Sequence, residues 1–62
     1  MLRLDMYKIY KEMSKKGWTK AELSRKSGIS KQMIQYIFES ESVRQIHKIA
    51  KAFGVNVKDL IK

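Results

Sequence analysis

Residues 20–39 have the sequence KAELSRKSGISKQMIQYIFE, and this stretch decides the fold of the 62-residue chain. The pattern predicts two short helices, about 20–26 and about 31–38, that meet at a turn containing Gly28. Glycine suits such a turn because it accepts positive φ without steric cost. The small residue Ser24 lies where the two helices must approach each other closely. This layout is that of a helix-turn-helix unit.

Capping signals mark where both of these helices begin. Thr19 can cap the helix over 20–26, and the side chain of Glu22 can reach back to Thr19, which makes a capping box. Ser30 occupies the capping position of the helix over 31–38. Apolar residues on either side of each cap form hydrophobic staples: Trp18 with Leu23, and Ile29 with Ile34.

A further helix is predicted before this unit, over about residues 5–15, with Gly17 closing it. Its apolar residues recur at the spacing of one helix face: Met6, Ile9, Tyr10 and Met13. No segment of the chain alternates strictly between apolar and polar residues, as a half-buried strand would.

Two more helices are predicted after the unit. Ser42 and Gln45 form a capping box that would open a fourth helix near 43–53. Asn56 and Asp59 repeat the pattern for a short fifth helix. The predicted fold class is therefore all-α, a compact bundle of five helices joined by short connections.

The composition excludes several classes of protein. The chain has no cysteine and a single histidine, so we expect no metal site, no cofactor and no enzymatic activity. Its longest apolar run is far shorter than the roughly 20 residues that cross a bilayer, and its N-terminus lacks the pattern of a secretory signal. We expect one soluble, cytoplasmic domain over residues 1–62, without a membrane partner or a small-molecule substrate.

The charge points to an anionic partner. Fourteen Lys and Arg residues against six Asp and Glu residues give a net charge of +8. Residues 1–38 have nine basic and three acidic side chains (+6), and residues 39–62 have five and three (+2). An excess of this size repels itself in the folded state, and nucleic acid is the most common reason to tolerate it. A basic membrane-surface peptide is disfavoured, because the bundle accounts for each apolar stripe.

The chain resembles the Cro/repressor-type (Xre-like) helix-turn-helix family over almost its whole length. WTKAELS at 18–24 is similar to the family's second-helix opening, GIS at 28–30 to its turn, and IAKAFGV at 49–55 to its fourth-helix ending. The resemblance implies a lambda-repressor-like domain with the helix-turn-helix at helices 2 and 3. It also implies a prokaryotic or phage regulator that binds double-stranded DNA, in many relatives as a homodimer.

The sequence departs from the family pattern at several positions. Lys20 stands where glutamine is common, and Ser24 where alanine is common. The connection over residues 39–42 is short and contains two glutamates. Loop residues at this place touch the DNA backbone in relatives, so the sequence leaves open whether this acidic loop approaches DNA.

The third predicted helix has a polar face opposite its apolar stripe. At about 100° per residue, Ile34, Ile37 and Phe38 form the buried stripe. The open face and the first turn present the residues expected to contact bases in the major groove: Lys31, Gln32, Gln35 and Tyr36. Glutamine can pair with adenine, and lysine can donate to guanine. Residues at the two helix N-termini are expected to contact phosphates: Thr19, Lys20 and Ser30.

Two functions follow as hypotheses. The first is a sequence-specific DNA-binding transcriptional regulator, repressor-like, with helix 31–38 in the major groove. The alternative is a protein-interaction module on the same fold, such as an antitoxin or antirepressor. Salt dependence separates them, because DNA binding weakens steeply with salt whereas an apolar protein interface does not. Leu2, Leu4 and Ile61 can serve either a dimer interface or the core.

Overall fold

Four α-helices and one 3₁₀ helix make up the structure, a computed structural model that describes residues 2–62; Met1 lies outside this range. The helices are α1 (Met6–Lys16), α2 (Lys20–Ser27), α3 (Lys31–Ser40) and α4 (Ile46–Phe53), followed by the 3₁₀ helix Val57–Leu60. The all-α prediction agrees with this architecture. The predicted count of five helices is wrong for the part that the structure describes, where the fifth element is a single 3₁₀ turn.

The predicted caps of the helix-turn-helix are formed. Thr19 Oγ1 accepts a hydrogen bond from the backbone N–H of Glu22, and Ser30 Oγ accepts one from the N–H of Met33, both at 3.2 Å. The predicted return bond from the Glu22 side chain to the backbone of Thr19 is replaced by an ion pair. The Glu22 carboxylate accepts from the Arg25 guanidinium at 2.9 and 3.0 Å, so the first turn of α2 has one capping bond and one i,i+3 pair.

Helix α3 continues two residues beyond the predicted 31–38 and ends at Glu41, which has a left-handed backbone with φ of 54°. Non-glycine residues adopt this conformation rarely, so contacts must hold it. The Glu41 carbonyl accepts from the N–H of Leu4 at 3.0 Å, and its carboxylate lies 2.9 Å from Arg3 Nη2. The N-terminal segment thus fixes the end of α3.

The predicted start of the fourth helix near residue 43 is wrong, because α4 begins at Ile46. Ser42 Oγ accepts from the N–H of Arg44 at 3.0 Å, which stabilises a local turn in competition with a helix. Gln45 has φ of 55°, a value that an α-helix does not contain. The Ser42–Gln45 capping box is therefore replaced by a turn.

The fifth predicted element keeps its predicted polar pair. The Asp59 carboxylate accepts from the N–H of Asn56 at 3.2 Å. The helix that follows has only four residues, Val57–Leu60, and is wound as a 3₁₀ helix. Leu60 is fully buried, so the short turn serves to bring this side chain into the core.

The two ends of the described chain pair with each other. Leu4 and Ile61 form an isolated antiparallel bridge, flanked by hydrogen bonds from Asp5 N–H to Leu60 O (2.9 Å) and from Lys62 N–H to Arg3 O (3.1 Å). The sequence does not predict this pairing. The pairing of the two segments places Leu4 in the core, whereas Leu2 is exposed and Ile61 is half-buried.

All four α-helices, the turn, the N-terminal segment and the 3₁₀ helix contribute to one apolar core. Its buried members are Leu4, Ile9, Met13, Leu23, Ile29, Ile34, Ile37, Phe38, Ile49, Ala50, Phe53 and Leu60. No polar or charged side chain is buried within residues 2–62. Removal of apolar surface from water is therefore the main force that holds the helices together.

We predict that Ile34→Ala lowers the free energy of unfolding by about 2–5 kcal/mol, since it removes a fully buried side chain from the centre of α3 and leaves a cavity. Leu2→Ala is the control, because Leu2 is 63% exposed and should change stability little. Urea unfolding followed by circular dichroism measures both. Equal midpoints for the two variants would contradict the proposed core.

Candidate nucleic-acid interface

The turn between α2 and α3 is held by two serine side chains that bond to the backbone of Ile29. Ser24 Oγ donates to the Ile29 carbonyl, and Ser27 Oγ accepts from the Ile29 N–H at 3.3 Å. Gly28 has φ of 76°, so the chain reverses there without strain from a Cβ atom. With both polar backbone groups satisfied, the apolar Ile29 side chain can be buried next to the turn.

Helix α3 turns its apolar stripe into the core and its polar residues outward. Ile34, Ile37 and Phe38 are buried, and Met33 is half-buried at the edge. The four residues predicted to contact bases are all exposed: Lys31, Gln32, Gln35 and Tyr36. Their i, i+1, i+4, i+5 spacing places them on one side of the helix. We call these four residues the α3 face.

Lys20 extends the α3 face across to α2. Its Nζ atom lies 5.4 Å from the centroid of the Phe38 ring and 3.5 Å from Gln35 Oε1. The Nε2 atom of Gln35 in turn donates to Glu39 Oε2 at 2.8 Å. Both ends of the Gln35 amide are thus engaged in the unbound protein, so contact with a base requires Gln35 to exchange at least one of these partners.

The two predicted hydroxyl contacts lie in the first turns of α2 and α3. Thr19 and Ser30 are exposed, and each hydroxyl oxygen accepts a bond from its own helix. A hydroxyl that accepts still has a proton to donate. Each can therefore donate to a phosphate beside the free N–H groups of a helix N-terminus.

Arg44 belongs to the same surface and was not predicted as a site residue. Its guanidinium carbon lies 5.8 Å from the centroid of the Tyr36 ring. The helical spacing of α3 does not point to Arg44, because the sequence predicts a helix where residues 42–45 form a turn. The available signal was that Arg44 is the only basic residue between Glu39 and Gln45.

The loop after α3 is less acidic than its sequence indicates. The Glu41 carboxylate lies 2.9 Å from Arg3 Nη2 and 3.8 Å from Lys62 Nζ, so both ends of the described chain compensate its charge. Glu39 accepts from Gln35. Glu39 therefore remains as the uncompensated carboxylate beside the α3 face.

Two other carboxylates are paired on their own helices. Hydrogen bonds from Arg25 lower the pKa of Glu22, and those from Lys16, together with Lys15, lower the pKa of Glu12. Both groups are thus ionised at neutral pH. These exposed pairs contribute little to stability, but they show which basic residues are already compensated.

None of the helices in the described part of the chain has the length and apolar character needed to span a membrane. Residues 2–62 also contain no group of three or more His, Asp or Glu side chains placed to hold a metal ion.

Comparison with known protein families gives one match. A family model described as a Cro/C1-type HTH DNA-binding domain matches residues 8–62, a range that includes most of α1 and all later elements. No curated protein and no solved structure matches the sequence.

We predict that Ser24→Ala is less stable than Ser14→Ala by about 1 kcal/mol, because it leaves the carbonyl of the buried Ile29 without its donor. Ser14 is the matched control, since it is an exposed serine in α1 and gains the same helix propensity on substitution. Urea unfolding measures both variants. A Ser24→Ala midpoint at or above that of Ser14→Ala would show that this bond does not stabilise the turn.

Proposed function

The chain belongs to the family of Cro/C1-type helix-turn-helix DNA-binding domains, and we propose that it is a sequence-specific transcriptional regulator of the repressor type. In this proposal the protein acts by binding double-stranded DNA in the cytoplasm, at the nucleoid, and not by catalysis. The observation that carries the proposal is the α3 face, a row of exposed polar side chains on the outward side of α3.

The dimensions and chemistry of α3 suit the major groove. A groove about 12 Å wide admits one α-helix, and the N-terminal residues of such a helix meet the base edges. Gln32 and Lys31 occupy the first turn of α3, where Gln32 can pair with adenine and Lys31 can donate to guanine. Tyr36 follows one turn later and can contact a thymine methyl group or a phosphate.

Phosphate contacts would surround this centre. Thr19 and Ser30 donate from helix N-termini, and Lys20 adds a positive charge beside Gln35. Arg44, whose guanidinium carbon lies 5.8 Å from the centroid of the Tyr36 ring, offers a second cation beside the α3 face. Contacts of this kind fix the register of the protein on the duplex, while the bases are read by α3.

A homodimer on a palindromic site is the second part of the proposal. Two recognition helices related by a two-fold axis would lie about 34 Å apart along the duplex. Leu4 is fully buried in the core, so of the three residues predicted for an interface only Leu2 and Ile61 have exposed surface to offer. Val57, 39% exposed and close to Ile61 in sequence, adds apolar area at the same end.

A protein-interaction module, such as an antitoxin or antirepressor, is the second candidate. The observation that favours it is the exposure of two tyrosines on α1, Tyr7 at 75% and Tyr10 at 50%, although the Tyr10 ring also packs edge-on against Phe38 of α3. A partner that covers these rings would bind with little salt dependence, whereas DNA binding would fall steeply between low and moderate salt.

Selection from a random duplex library at moderate salt tests the DNA proposal directly, and a symmetric site would report a dimer.

We predict that Gln32→Ala weakens binding to the selected site by roughly 1–3 kcal/mol and relaxes preference at one base pair, because one bidentate base contact is lost. Fluorescence anisotropy against the selected site and its single-base variants measures both effects. An unchanged pattern of preference would show that α3 does not read bases through Gln32.

We predict that Lys20→Ala weakens binding to all duplexes by a similar factor and lowers the slope of log K against log salt by about 1, because one phosphate contact is removed. Lys58→Ala is the charge-matched control, since Lys58 is exposed on the 3₁₀ helix. Equal effects of the two substitutions would mean that Lys20 acts only through the net charge.

A further inference from the structure

A second basic surface lies outside the α3 face, in an open groove of about 780 Å³ between α2 and α4. Two cationic side chains come from each helix, Arg25 and Lys26 from α2 and Lys48 and Lys51 from α4. Trp18 lines the same groove and packs against Phe53, with ring centroids 5.7 Å apart. We call this feature the α2–α4 groove.

Three of the four cations in the α2–α4 groove form no ion pair with a carboxylate within residues 2–62. Arg25 is paired with Glu22 at 2.9 Å, whereas Lys26, Lys48 and Lys51 take part in none of the ion pairs. Lys26 has a cation–π contact instead, with its Nζ atom 5.5 Å from the centroid of the Trp18 ring. Like charges gathered in one concavity repel one another, so the groove is suited to an anionic occupant.

The groove and the α3 face lie on different sides of α2. Lys20 and Lys26 are six residues apart, which separates them by about 120° around the helix axis. Lys20 contacts Phe38 of α3, whereas Lys26 lies over Trp18, which packs on Phe53 of α4. A duplex held by the α3 face would therefore leave the groove open.

The shape of the groove favours a single acidic protein segment over a nucleic-acid duplex as its occupant. A surface concavity of about 780 Å³ on a domain that measures 28 × 23 × 16 Å accommodates a short segment of a single chain but not the body of a duplex. The half-buried indole of Trp18 among the lysines also offers apolar surface to a side chain, which a phosphate backbone does not use.

We propose that the α2–α4 groove binds a short acidic segment of a partner protein, with carboxylates at Lys26, Lys48 and Lys51 and the chain passing over Trp18. The site is separate from the DNA-reading surface and gives the protein a second partner of a different class. A bound partner could then be held while the α3 face remains on its target.

The test uses a fluorescein-labelled peptide of eight glutamates and two double variants with equal change of charge. Lys26→Glu with Lys51→Glu alters the groove, and Lys11→Glu with Lys58→Glu alters exposed lysines elsewhere. We expect the groove variant to lose at least about tenfold in affinity for the peptide and the control variant less than about threefold. Circular dichroism and thermal midpoints confirm that both variants fold, and Lys48→Ala provides a milder change in the same groove.

Trp18 supplies a second measurement, because it is the only tryptophan of the chain. Peptide binding should change its emission in the wild-type protein and in the control variant. Equal loss of affinity in both double variants would overturn the proposal, since it means general charge attraction. No response of Trp18 would also overturn it, since the peptide would then not pass over the groove.

A third arm asks whether DNA and the peptide bind together. Addition of a saturating duplex with the selected site should leave peptide binding within about twofold, and one-for-one displacement of the peptide would overturn the separate site. This arm rests on the proposed function, whereas the first two measurements do not. A failure to bind any selected duplex is therefore distinguishable from a failure of the groove.

Discussion

The architecture depends on the close approach of α2 and α3 at a turn that hides the backbone of one residue. Ile29 can be buried only because Ser24 and Ser27 satisfy its carbonyl and its N–H. The same approach sets the angle at which α3 leaves the body of the protein. Packing of Ile34 and Ile37 then fixes the rotation of α3, so that its polar residues face outward.

The features predicted correctly from sequence are those that depend on neighbours along the chain. The caps Thr19 and Ser30, the glycine turn at Gly28 and the apolar stripe of α3 follow from spacing alone. The start of α4 did not, because the Ser42 turn competes locally with a helix and Gln45 adopts positive φ. The contacts of Lys20 with α3 and of Arg44 with Tyr36 join distant segments or irregular backbone, which periodicity does not describe.

The distribution of charge is more selective than the net value of +8 indicates. Three carboxylates form ion pairs with particular basic residues and leave other basic residues without a partner: Glu12, Glu22 and Glu41. Asp5 and Asp59 accept backbone hydrogen bonds at helix N-termini instead. Among the lysines without an ion pair, Lys20 lies beside α3, and Lys26, Lys48 and Lys51 lie together between α2 and α4. One small domain thus has two cationic surfaces of different shape, one convex and one concave.

The pairing of Leu4 with Ile61 has a consequence for how the domain opens. Chain ends normally fray independently and at little cost. Here, separation of the two segments would expose Leu4, release Asp5 from Leu60 and remove Arg3 and Lys62 from Glu41 at once. Glu41 forms the end of α3, so loosening of either terminus is transmitted to the helix that presents the polar face. The end of that helix is therefore held in part by residues more than twenty positions away on both sides.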